Sequence, residues 1–189
     1  MTLILSESEV TSLLSMREVV QAVEECFRHV PTSLSVNSPR SRTIVPGSVL
    51  NVMHGSLPYL GRAGVKCYLG SRKGTRFVFV LFDLDDAEPL AVLGADVLGR
   101  YRTGAASAVA TKHLARLSSL RFAIAGSGRQ ALTQALAMKE VAKVETLKAW
   151  SPNSAHLVEF LSRLVLLQRR CAPVEKHFGQ TCNDRSLPS

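Results

Sequence analysis

Gly126-Ser127-Gly128-Arg129-Gln130-Ala131 is the stretch of this 189-residue chain whose residue types and spacing bear most directly on chemistry. It has the form G-x-G-x-x-A. Gly126 permits a tight turn, Gly128 lets the backbone approach a diphosphate with no Cβ in the way, and Ala131 keeps a following helix close to the preceding strand. Amides at the start of that helix would face the anion, with the positive end of the helix dipole behind them. The flanks decide how much the motif means. Leu120–Ala125 (LRFAIA) reads as a short apolar strand, Ala131–Val141 as a helix with Leu132, Ala135, Leu136 and Met138 available for packing, and residues 146–150 (TLKAW) as a second strand. Strand, glycine turn, helix and strand in this order match a dinucleotide-binding βαβ unit; a purely structural glycine turn is the alternative. A site selective for NAD usually ends the second strand in Asp or Glu, to hold the ribose 2′-hydroxyl. Here Ser151 and Asn153 stand in that region, Ser151 lying 25 positions after Gly126. They can hydrogen-bond a ribose or a 2′-phosphate and cannot repel the latter, so NAD or NADP is accommodated; alternatively, Ser151-Pro152-Asn153 is simply a turn.

The elements that must hold this turn begin with two helices announced by S-x-x-E capping boxes, Ser6 with Glu9 and Ser15 with Glu18. From Met16 onward, Val19, Val23, Cys26, Phe27 and Val30 fall on one face, and Pro31 stops the pattern. Residues 31–62, rich in Ser, Pro, Gly and Arg, read as loops crossing a sheet edge, with short extended pieces at 43–45 and 49–53. Strand signals follow at 64–69, 76–82 (RFVFVLF) and 89–93, the last two joined by an acidic turn at 83–88, which suggests a hairpin in an antiparallel or mixed sheet. Residues 103–115 are Ala- and Ser-rich, a helix able to approach another backbone closely.

With 46% hydrophobic residues, 20% charged residues and no low-complexity tract, the chain can bury a core, as one domain or two small ones. No run approaches the ~18–20 apolar residues of a membrane-spanning helix. MTLILSESEV lacks the basic start and long apolar stretch of a signal peptide, so a cytoplasmic location is expected. Cys26, Cys67, Cys171 and Cys182 form no C-x-x-C pair, and the five histidines (His29, His54, His113, His156, His177) show no metal-ligand spacing, so no metal site is expected. The net charge is +8, and no acid occurs between Asp96 and Glu140, where Arg100, Arg102, Lys112, Arg116, Arg121, Arg129 and Lys139 are basic. That reads as a positive pole around a phosphate site or as a solvated basic face. A nucleic-acid reading of it lacks interleaved aromatics, so no nucleic-acid partner is expected.

Five phrases, R-T-I-V-P at 42–46, G-V-K at 64–66, V-L-F-D at 80–83, R-T-G-A-A-S-A-V-A-T-K at 102–112 and I-A-G-S-G-R-Q-A at 124–131, resemble the ornithine cyclodeaminase/mu-crystallin family, in the family's order over residues 1–163. The resemblance implies an α/β fold: an N-terminal α+β substrate and dimerisation domain (1–117), an incomplete Rossmann NAD(P)-binding domain (118–163) and a divergent tail (164–189). It implies an oxidoreductase that moves hydride between NAD or NADP and the α-carbon of a small amino or imino acid, of ornithine cyclodeaminase, ketimine or pyrroline-carboxylate reductase, or alanine dehydrogenase type, working as a homodimer. Carried over by motif, Arg42 and Arg102 bind the substrate carboxylate, and Lys66 sits beside the reacting carbon. Arg40 competes with Arg42 for its position. Gly126, Ser127, Gly128, Arg129, Gln130, Ser151 and Asn153 are the cofactor-binding set. These roles suit the side chains: an Arg fork matches a carboxylate in two parallel bonds, and desolvation in Gly64-Val65-Lys66-Cys67-Tyr68 would lower the Lys66 pKa.

Two departures qualify the resemblance. The stretch between Lys66 and the 77–82 strand is shorter than in mu-crystallin, which does not support ornithine specificity. The chain also stops before the rest of the Rossmann sheet and a further catalytic aspartate of the family, and 164–189 matches neither a third strand and helix nor a family ending. The expectation is a premature or frame-altered terminus, impaired activity and, from an open strand edge and uncovered apolar face, weak stability, oligomerisation or aggregation. A non-catalytic nicotinamide-cofactor or ligand-binding dimer is the competing class.

Overall fold

The computed structural model describes residues 1–32, 34–115, 120–167 and 174–176. Among these, ten strands and five α-helices form two sheets joined by a layer of helices. The first strand, β1 (Leu3–Leu5), was not expected; it runs parallel to the far strand of the large sheet. Ser6 then opens α1 (Glu7–Leu13) with the predicted capping box: Glu9 N–H donates to its hydroxyl at 3.3 Å, and Ser6 N–H donates to the Glu9 carboxylate at 2.8 Å. Ser15 makes no such bond at the start of α2 (Met16–His29), so the second box does not form. The buried face of α2 is also rotated from the predicted one. Met16, Val20 and Glu24 are buried, Val19 and Val23 pack at the edge of the core shared with α3 and α4, and Phe27 and Val30 stay exposed.

The region read as loops is largely sheet. β2 (Val36–Asn37), β3 (Ser41–Val45) and β4 (Ser48–Leu57) follow α2, with Gly47 at φ +78° turning β3 into β4. A positive φ is open to glycine at no steric cost. β5 (Arg62–Ser71), β6 (Gly74–Asp83) and β7 (Pro89–Gly94) complete an antiparallel run β4-β5-β6-β7, and the predicted 83–88 hairpin turn joins the last two. The sheet has the order β1-β7-β6-β5-β4-β2, with β3 also on β4. Its register sets Met53, Lys66 and Phe79 side by side, so all three point to one face.

That face is covered by α3 (Asp96–Leu114), which starts seven residues before the predicted helix. The Glu7 carboxylate explains the early start: it accepts the N–H groups of Asp96 at 2.6 Å and Val97 at 3.2 Å, capping α3 from a distant part of the chain. The small residues of α3 do allow a close approach. A Cβ on Gly104 would stand 2.5 Å from the Thr133 carbonyl oxygen on α4 (Ala131–Val141). Met16 and Val20 of α2, Ala105, Ala108 and Val109 of α3 and Ala137 of α4 form the core between the sheets. Beside it Glu24 takes Lys112 at 2.9 Å, His113 at 2.9 Å and Arg28 at 3.3 Å, and the Lys112 and His113 bonds hold its carboxyl below the ordinary value.

The second sheet contains β8 (Leu120–Ala125), β9 (Val144–Trp150) and β10 (Val174–Lys176), all parallel, in the order β10-β9-β8. This is the 3-2-1 order of a mononucleotide-binding half. α4 and α5 (Ser154–Leu167) connect its strands, and Ala131, Ala135, Leu147, Ala149, Leu157, Phe160, Leu161 and Leu164 form its core. α5 runs through the expected 163/164 boundary, and 174–176 form a strand beside β9. The 117/118 boundary falls among residues 116–119, outside the described residues, as do Cys171, His177 and Cys182. Among the described residues, no helix is long and apolar enough to cross a membrane.

Candidate coenzyme and substrate site

The glycine turn leaves β8 with Gly126 at φ +108°, in the region that favours glycine, and the Gly126 N–H donates to Trp150 O at 2.7 Å, tying the ends of β8 and β9 together. Ala131 N–H donates to Gly128 O at 3.0 Å and starts α4. Between these two bonds the N–H groups of Ser127, Gly128, Arg129 and Gln130 have no protein acceptor among the described residues. A Cβ at Gly126 or Gly128 would meet nothing within 4 Å. Unsatisfied amides around open space at the start of a helix fit a dinucleotide diphosphate. The turn borders a cavity of about 480 Å³ lined by Ser127, Gly128 and Arg129, by Val97, Arg100 and Tyr101 of α3, and by His156 and Phe160 of α5, with other residues of α1, α4 and α5.

Ser151 and Asn153 are brought to the same end of the sheet. The Ser127 hydroxyl donates to Ser151 Oγ at 2.8 Å, and the Asn153 N–H donates to that oxygen at 3.4 Å. Asn153 also caps α5, its side-chain oxygen accepting the His156 N–H at 3.0 Å. Gln130 is exposed, and its backbone carbonyl accepts from the Thr133 hydroxyl at 3.0 Å and from Gln134 N–H at 3.0 Å.

A second cavity, about 330 Å³, lies between the large sheet and α3. Lys66 and Arg102 both line it, with Met53, Phe79, Leu98, Gly99 and Thr103 among their neighbours. Arg42 does not. The third cation there is Arg40, which sequence reasoning kept only as a competitor. Arg42 is an exposed residue of β3 opposite Asn51, whereas Arg40, just before β3, lines the cavity with Met53 and Lys66. Residues two apart share a face of an extended chain, so no period separates the two arginines; only register does. The Arg40 guanidinium and the Lys66 ammonium each stand 5.9 Å from the Tyr68 ring centroid. Burial, and then the positive charges of Arg102 and Arg40, hold the Lys66 pKa below the ordinary lysine value.

Four cations of the basic stretch are paired once folded. Asp96 takes both Arg100, at 3.4 Å, and Arg129; Glu24 takes Lys112; and Arg121 meets Glu145 at 3.4 Å. Arg116 lies outside the described residues. Arg40, Lys66 and Arg102, by contrast, form no ion pair among the described residues, leaving concentrated positive charge in the second cavity.

The sequence model of the ornithine cyclodeaminase/mu-crystallin family matches residues 1–171. Alanine dehydrogenase of Archaeoglobus fulgidus is 36% identical over 166 residues, 85% of this chain and 52% of that protein. A Delta(1)-pyrroline-2-carboxylate reductase of Bacillus cereus is 30% identical over 162 residues, 79% of this chain and 49% of that protein. Among solved structures, an archaeal alanine dehydrogenase dimer with bound NAD superposes with a TM-score of 0.84 at 30% identity, over 93% of this chain and 56% of that one. The Delta(1)-pyrroline-2-carboxylate reductase of Thermococcus litoralis in complex with NADH and L-proline gives 0.85 at 27% identity, over 93% and 57%. The chain thus spans about half the length of the curated relatives it matches.

Proposed function

This chain belongs to the ornithine cyclodeaminase/mu-crystallin family, and we propose from that premise that it serves hydride transfer between a nicotinamide dinucleotide and the α-carbon of a small amino or imino acid. The family comprises NAD(P)-dependent amino- and imino-acid dehydrogenases, reductases and cyclodeaminases. One observation carries the reading: α3 is a wall of both cavities, with Val97, Arg100 and Tyr101 toward the glycine turn and Leu98, Gly99, Arg102 and Thr103 toward Arg40 and Lys66. A single helix thereby sets the distance between a dinucleotide and an amino-acid anion, and such positioning is much of what hydride transfer requires.

In this reading the amides of residues 127–130 hold the diphosphate. Arg40 and Arg102 hold the α-carboxylate, Arg40 replacing Arg42 in that role. Lys66, with its pKa lowered, takes a proton from, or returns one to, the α-nitrogen. The bound nicotinamide supplies or accepts the hydride. The partner is a second copy of this chain, joined through the face of the large sheet opposite α3.

Titration of the purified chain with NADH and NADPH, followed through Trp150, the single tryptophan, tests the coenzyme part. Turnover with cyclic imines, with pyruvate plus ammonia and with ornithine tests the rest. Saturable quenching and oxidation of coenzyme with an imino acid are expected. A folded chain that binds neither coenzyme at millimolar concentration overturns the reading; saturable binding without turnover on any substrate leaves the non-catalytic binding dimer.

A further inference from the structure

We infer that the nucleotide end of this site selects the 2′-phosphorylated dinucleotide, NADP(H), over NAD(H), and that Ser151 is the residue that decides. The inference rests on the nucleotide reading above. In a 3-2-1 parallel sheet the first two strands and their helices surround the adenosine half of a dinucleotide. Here these are β8, α4, β9 and the start of α5, all within the described residues. The ribose 2′ position is therefore read by side chains already in hand.

Selection for NAD depends on a carboxylate at the end of the second strand, which accepts from the ribose hydroxyls and repels a 2′-phosphate. No Asp or Glu occurs from Gly126 to Lys139 or from Lys148 to Val158. Ser151 stands where the carboxylate would be, and its oxygen is fixed by the Ser127 hydroxyl and the Asn153 N–H. A hydroxyl held in this way still has its own proton to donate to a phosphate oxygen.

The charged groups around this end are paired, and the carboxylates among them lie on other elements than the end of β9. Arg129, in the turn itself, has a largely exposed side chain; Asp96 takes both it and Arg100, and the Glu7 carboxylate lies against the Asp96 N–H. On α5, Glu159 is matched by Arg163 at 3.9 Å, and His156 lines the same cavity as Ser127 and Arg129. A 2′-phosphate dianion entering beside Ser151 meets hydroxyl donors and no carboxylate on the end of β9, with the exposed Arg129 side chain on the adjoining turn. A 2′-hydroxyl gains no charge-assisted bond there, a difference of about tenfold or more in affinity.

The test is titration of the full chain with NADPH and with NADH at low ionic strength, read by Trp150 quenching. Trp150 precedes Ser151 and is 42% exposed. Wild type should bind NADPH about tenfold more tightly, with the gap narrowing as salt is raised. Ser151→Asp should weaken NADPH by more than about tenfold and leave NADH equal or tighter, reversing the order. Ser151→Ala, a smaller change should the aspartate variant fail to fold, should lose more NADPH affinity than NADH affinity. Wild-type affinities that are equal, or that favour NADH, overturn the inference while leaving the nucleotide site standing. Binding of neither coenzyme to a chain shown to be folded overturns the underlying reading as well.

Discussion

Lys66 lies between two arginines with no acid to balance them, in a half-buried position between sheet and helix. That arrangement costs stability and prepares chemistry, and the two effects can be separated. Because the folded pKa of Lys66 lies below the unfolded value near 10.5, the unfolded chain binds more protons in the interval between them, so stability rises with pH across that interval. Lys66→Met removes this rise and one positive charge. The variant should melt at a higher temperature than wild type at neutral pH, and the difference should shrink as the pH approaches 10.5 in thermal scans. In turnover assays it should lose roughly 10²–10⁴ in kcat while its NADPH titration stays at the wild-type value. A melting temperature that falls at neutral pH would show that Lys66 is an ordinary packing residue. An arginine at Lys66 would not restore activity, because its guanidinium does not give up a proton.

At the level of elements, α3 explains why the two cavities stay in register. Its contact with α4 is backbone to backbone at Gly104, where an added Cβ would lie 2.5 Å from the Thr133 carbonyl oxygen and 2.8 Å from its carbon. No rotamer relieves a clash with backbone, so Gly104→Ala should push α4 and its glycine turn away from α3. The expected destabilisation is about 1–3 kcal/mol, measured by urea denaturation, with weakened coenzyme binding; unchanged stability and affinity would show that the helices slide freely. The small-residue character of 103–115 announced this close packing in the sequence, and the strand-turn-helix order announced the βαβ unit down to the ends of β8 and α4. What stayed hidden was what distant residues decide. α3 begins early because Glu7 caps it, β1 is three residues that become a strand only beside β7, and β4 has Asn51, His54 and Ser56 breaking any apolar alternation. The choice of Arg40 over Arg42 is likewise a matter of strand register, which no local pattern encodes.

On the scale of the whole molecule, the face of the large sheet turned away from α3 remains to be accounted for. The register places Ile4, Val36, Val45, Leu50, Leu69 and Val78 on it, together with Val52, Val65, Val80 and Val92, and not one of them is buried in the single chain. Apolar patches of this extent on a soluble chain mark an interface or an aggregation surface. The central strands β4, β5 and β6 are ten residues long, or about 33 Å, and the flanking strands are two to six residues long, so at about 4.8 Å spacing the face offers about 700 Å². That is within what each partner contributes to a standard-size interface, and two copies related by a twofold axis would cover it on both. The chain should therefore run as a dimer in light scattering, holding that mass over about a hundredfold dilution. Val78→Lys alters a side chain already 44% exposed, so the monomer can keep its fold by circular dichroism, yet it sets a charge on the apolar face and should shift the species to monomer. A monomeric wild type that stays soluble at high concentration would rule this interface out, and an aggregating one that never yields a dimer would mean that the face lacks a matching surface.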